Sequence, residues 1–94
     1  MTKHSKPTLK KLEELFSEIS YTVRYEKGNF NSGYCILDDR KIIVVNRFFD
    51  TDTRVNVLID LLTVIPIDES LLSEKSRFTF RNFLKSAISA IEQN

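Results

Sequence analysis

Catalysis needs a titratable or nucleophilic side chain placed where neighbouring groups can tune it, and few positions in this chain qualify. In the apolar stretch RVNVLIDLLTV, Arg54 to Val64, one carboxylate, Asp60, stands among leucine, isoleucine and valine. With a suitable partner it would serve as a general base or a metal ligand. At about 100° per residue, Asn56, Asp60 and Thr63 fall in one wedge, joined by Asp52 and Thr53 at the N-terminal end. Val55, Val57, Leu58, Ile59, Leu61, Leu62, Val64 and Ile65 cover the remaining arc. The pattern reads more simply as a largely buried helix with one wet edge, and Asp60 as a solvated carboxylate on that edge.

The other reactive groups are more isolated. Cys35 is the only cysteine, which excludes an intramolecular disulfide. Between Tyr34 and Ile36 in a strand it reads as a small apolar residue. A nucleophilic thiol needs a base, and the only histidine, His4, lies near the N-terminus. Asp50 and Asp52 alternate as in a calcium loop, but the glycine and the distal glutamate of such a loop are missing, and helix capping accounts for them. Asp38, Asp39, Asp68 and Glu69 read as loop acids. The chain has no glycine-rich phosphate loop, no Gly-x-Ser-x-Gly and no Cys-x-x-Cys. The expectation is a protein that is not an enzyme and uses neither metal nor cofactor.

Aromatic residues offer recognition instead. Tyr21, Tyr25, Phe30 and Tyr34, with Arg24 and Lys27, have the composition of a stacking platform for single-stranded nucleic acid. Glu26, Asp38 and Asp39 interrupt the basic groove such a platform needs, so core or interface packing is preferred and nucleic-acid binding ranks last. In NRFF, Asn46 to Phe49, two adjacent aromatics cannot both point inward from an extended strand, so one is exposed. Exposed aromatic and arginine side chains together favour protein contact surfaces. Phe78, flanked by Arg77 and Arg81, lies off the apolar stripe of its own helix. Arg47, Phe48, Phe49 and Phe78 are therefore the expected contact surface, for a second copy in a homodimer or for an unknown protein partner. On this reading Phe49→Asp changes the oligomeric mass and leaves the fold intact.

These residues are carried by a short series of elements. Leu9, Leu12, Leu15, Phe16 and Ile19 recur at helical spacing, which predicts a helix from about Pro7 to Ser20 capped by Ser5 or Thr8. YTVRYE, Tyr21 to Glu26, alternates as a strand with one wet face. KGNFNSG is a loop. YCIL and KIIVVN flank DDRK as a hairpin within 33–46. With Asp39 and Arg40 as the turn, Leu37 faces Ile42, Cys35 faces Val44 and Asp38 opposes Lys41; a four-residue loop is the alternative. Both faces of the hairpin are apolar, which predicts at least partial cover on both sides. Asp50, Thr51, Asp52 or Thr53 caps the helix around Asp60, PIDESLL is a loop or a single turn, and a last helix runs from Ser73 to Glu92 with Phe80, Phe83, Leu84, Ala87, Ile88 and Ile91 as its stripe. The expected fold is α+β, a three-stranded antiparallel sheet packed with three helices in the order α-β-β-β-α-α.

The segment from Ser32 to Val64, a hairpin ending in VVN, a short acidic linker and an amphipathic helix, resembles the core of the minimal zinc peptidases of the ImmA/IrrE type. In that family the helix carries His-Glu-x-x-His at a set distance beyond the strand-ending asparagine. Counted from Asn46, the resemblance implies Asp60 in place of the first histidine, Leu61 in place of the glutamate and Val64 in place of the second histidine. Zinc needs the imidazoles one turn apart, and hydrolysis needs the glutamate. With all three replaced, the resemblance implies an inactive derivative acting as a scaffold or regulator. From Gly28 to Leu84 the chain is also similar to a group of short bacterial proteins with a GYC strand (Gly33 to Cys35), an IVVN-like strand (Ile43 to Asn46) and a following helix. That likeness implies a fold and no activity.

Composition sets the remaining bounds. The 94 residues suit a single domain, 1–94, with 1–6 as a flexible tail. Fourteen basic and 13 acidic residues leave a formal charge of +1, which provides no global field for nucleic acid or an anionic membrane. Lys3, Lys6, Lys10 and Lys11 read as a solvated start rather than a phosphate-contacting arm. No apolar run reaches the length of a signal peptide or a membrane span, so the expected location is the cytoplasm.

Overall fold

The computed structural model describes residues 5–92. His4 and the start of the expected tail lie outside them. Helix α1 spans Lys6–Glu18, strand β1 Tyr21–Glu26, β2 Ser32–Leu37 and β3 Arg40–Asn46. Helix α2 spans Thr51–Val64, and α3, Glu74–Glu92, follows a single 3-10 turn at Glu69–Leu71. The order is α-β-β-β-α-α and the class α+β, as the periodicities predict.

Each helix begins where its sequence supplies a cap. The Ser5 hydroxyl accepts from the Thr8 N–H at 3.4 Å, with Pro7 in the first turn. Asp50 accepts from the Thr53 N–H at 2.8 Å, and Ser73 from the Ser76 N–H at 3.2 Å. Ser20, at φ 69°, takes the left-handed conformation that ends α1 and turns the chain into β1. The start of α3 is also tied to the end of α1. Glu18 accepts from the Ser73 N–H at 2.7 Å, the Ser76 hydroxyl at 2.8 Å and the Ser73 hydroxyl at 3.1 Å. Burial pushes the Glu18 carboxyl up, but these three donors outweigh it and hold the group below its ordinary value.

The sheet departs from the antiparallel arrangement expected. Its order is β1-β3-β2, with β3 antiparallel to β2 but parallel to β1. Ile42 and Val44 on one face and Ile43 and Val45 on the other make β3 the most apolar strand on both sides, and it takes the protected central place. The loop Lys27–Asn31 crosses over the end of β3 to carry the chain from one edge to the other.

The hairpin register is also corrected. The turn residues are Asp38 and Asp39, at φ 46° and 71°, and the pairs are Leu37 with Arg40, Ile36 with Lys41, Cys35 with Ile42 and Tyr34 with Ile43. Two consecutive left-handed residues match the twist of a two-residue hairpin, and aspartate tolerates that conformation better than most. Lys41 therefore faces Ile36 and not Asp38. The slide is an even number of residues, so every side chain keeps its expected face.

The helices lie on one face of the sheet. Leu12, Leu15, Phe16, Ile43, Val45, Val55 and Leu58 are fully enclosed between them, with Tyr21, Ile65, Leu72 and Phe80 around this centre. The expectation that the hairpin is covered on both sides fails at β2, which is exposed along its whole length, with Ile36 at 60% and Leu37 at 59%. Among the described residues no helix is long and apolar enough to cross a membrane.

Candidate interaction surfaces

Asp60 lies on the outer edge of α2 with Asn56 and Thr63, all exposed, while Val55, Leu58, Leu61 and Leu62 face the core. The wet-edge reading of this helix is the observed one. Leu61 is buried and Val64 is 55% exposed, so the aligned motif positions do not converge on one pocket. Among the described residues no three His, Cys, Asp or Glu side chains group closely enough to hold a metal ion. Asp50 caps α2 and Asp52 lies in its first turn, which is the capping role expected of that pair.

The corner between β3 and α2 is built by Asn46 and Arg54. Asn46 is buried at the end of β3 beneath the crossing loop. Its Nδ2 donates to the carbonyls of Gly28 at 2.9 Å and Phe30 at 2.6 Å, and its Oδ1 accepts from the Phe48 N–H at 3.0 Å. Arg54, one turn into α2, donates to the carbonyls of Phe49 at 2.9 Å and Arg47 at 2.7 Å. Its guanidinium also stacks on the Tyr25 ring, 4.4 Å from the centroid. The Tyr25 hydroxyl donates to Glu13 on α1. Burial, then the bond to Glu13 and its charge, raise the Tyr25 phenol far above its usual range, against the opposing pull of Arg54.

This scaffold fixes the two adjacent phenylalanines in opposite directions. Phe48 is 74% exposed beside exposed Arg47, whereas Phe49 packs against the core. Phe78, 70% exposed, lies on α3 in a cleft with Glu74, Arg77, Arg81 and Asn82. That cleft contains no residue of the β3–α2 corner. The aromatic cluster of β1 and β2 is likewise divided. Tyr21 is buried and Tyr25 half-buried on the helix side, and Tyr34 shares their face at the exposed edge. No protein-family pattern, curated protein or solved structure matches the chain.

The sequence reading missed one surface, the β2 edge. It carries Tyr34 at 43%, Ile36 at 60% and Leu37 at 59% exposure, around exposed Cys35. Phe30, Ser32, Gly33, Tyr34, Cys35 and Val44 line a shallow depression of about 270 Å³ beside it. Six consecutive residues, Ser32 to Leu37, bear no charge, and this was a visible signal. The same signal predicts burial, because uncharged strands are most often covered.

Proposed function

We propose that this protein is a non-catalytic, self-associating interaction module of the cytoplasm. The observation that carries the reading is the presentation of whole aromatic rings to solvent. Phe48 and Phe78 are held 74% and 70% exposed, each beside arginine, while fifteen other apolar side chains among the described residues are buried in the core. A large exposed aromatic next to a guanidinium is a typical anchor for a protein partner. Phe48 is fixed by a corner made of five hydrogen bonds from or to Asn46 and Arg54 side chains, so it is pre-ordered for contact at little entropic cost. Native mass spectrometry over a concentration series tests the proposal. Dimer or larger masses are expected at high concentration, and a strict monomer throughout speaks against self-association.

A further inference from the structure

We infer that the second copy joins along β2, strand to strand, so that two three-stranded sheets become one six-stranded sheet. The inference rests on the self-association proposed above and places it on the β2 edge, a surface other than the Phe48 and Phe78 rings. Natural sheets guard their edges with charge, proline, bulges or cover. The β1 edge carries Arg24 and Glu26, paired to each other at 2.9 Å, whereas β2 has neither charge nor proline and runs six residues in unbroken register with β3.

The backbone fixes which residues are available. The Asn46 N–H donates to the Asn31 carbonyl at 3.1 Å, and in an antiparallel ladder this alternates along the strand. Asn31, Gly33, Cys35 and Leu37 thus turn their backbone groups toward β3. Ser32, Tyr34 and Ile36 turn theirs outward, each with a free donor and acceptor. A two-fold partner must bond through these same residues.

The register with Tyr34 opposite Ile36 of the second copy satisfies that rule and pairs an aromatic with a β-branched residue. It sets Leu37 opposite Gly33, where an added Cβ would meet nothing within 4 Å, so there is room for the leucine. Cys35 then falls on the two-fold axis, opposite its own copy in a non-hydrogen-bonded pair with Cα atoms about 4.5 Å apart. The contact is isologous and closes at two, whereas β2 against β1 would build an open filament.

Cys35 reports the register directly, because about 4.5 Å is within disulfide reach. Treated with the thiol oxidant diamide, the wild-type chain should form a Cys35–Cys35 dimer at least about tenfold faster than a Cys35→Ser, Leu37→Cys control, since a held pair has a far higher effective concentration than a chance collision. Ile36→Lys, at a 60% exposed position, should keep the helical spectrum and raise the monomer–dimer midpoint at least about tenfold, by placing a charge on the edge. A dimer that resists Ile36→Lys and crosslinks no faster than the control overturns the edge geometry while leaving self-association standing. A strict monomer overturns both.

Discussion

Asn46 offers the sharpest test of how the corner is held. Its side chain makes three hydrogen bonds, two as donor to Gly28 and Phe30 and one as acceptor from Phe48, in a buried position. At about 1 kcal/mol for each bond lost, Asn46→Ala should cost about 3 kcal/mol. That is a large share of the roughly 5–15 kcal/mol expected of a small domain. Asn46→Asp changes only the donor side of the group, yet it should cost more at neutral pH, because a carboxylate then faces two carbonyl oxygens with nothing to donate. That environment disfavours the ion and raises the folded-state pKa of the new carboxyl above its unfolded value of about 3.9. The protonated form therefore stabilises, fully so below about pH 3.9 and decreasingly as pH rises through the higher folded value. Urea unfolding of the wild type and both variants, at neutral pH and near pH 4, checks this. The Asn46→Asp penalty should exceed that of Asn46→Ala at neutral pH and shrink relative to wild type on acidification. A cost under about 1 kcal/mol for Asn46→Ala, or an Asn46→Asp penalty indifferent to pH, would refute the account.

Other substitutions separate the remaining contacts. Glu18→Gln should lower stability at neutral pH by about 1 kcal/mol, a modest value because water screens the site. The lowered Glu18 pKa makes this difference present above the usual glutamate value and lost as pH falls through the folded one, which paired pH-dependent melts will show. Phe49→Asp places a charge against the core and should cost about 3 kcal/mol or more in thermal unfolding, while Phe48→Asp should stay within about 0.5 kcal/mol. Phe48→Asp is thus the clean variant for contact experiments. Asp39→Gly relieves a left-handed residue in the hairpin turn and should raise stability by about 0.5 kcal/mol, readable as a higher urea midpoint.

Local order was legible in the residues. The caps Ser5, Asp50 and Ser73, the stripe from Leu9 to Phe16 and the wet wedge of Asn56, Asp60 and Thr63 all follow from spacing and side-chain chemistry, and each is present. Sheet order was not legible, because alternation shows that a segment is a strand and not which neighbour it meets. The central place of β3 depends on a loop crossing pinned by Asn46, and no pattern of apolar residues encodes such a crossing. Apolar residues on both sides of β2 signal burial, but they do not say whether the cover comes from the same chain. The bend at Phe48 and Phe49 was half visible. Geometry requires one ring to be exposed, and only Arg54 and Asn46 decide which.

The place of β3 between two earlier strands also constrains the order in which the chain can fold. β2 and β3 are joined by two residues and can zip early, at low loop-closure cost. β1 cannot find its partner until β3 is formed, and Glu18 reaches Ser73 and Ser76 only across most of the domain, so both contacts belong to late steps. Changes at the Asp38–Asp39 turn should then act on the folding rate, and changes at Glu18 on the unfolding rate. Until β1 and the helices dock, the young hairpin exposes both faces of its most apolar strand, and this interval is when the chain is most prone to aggregate.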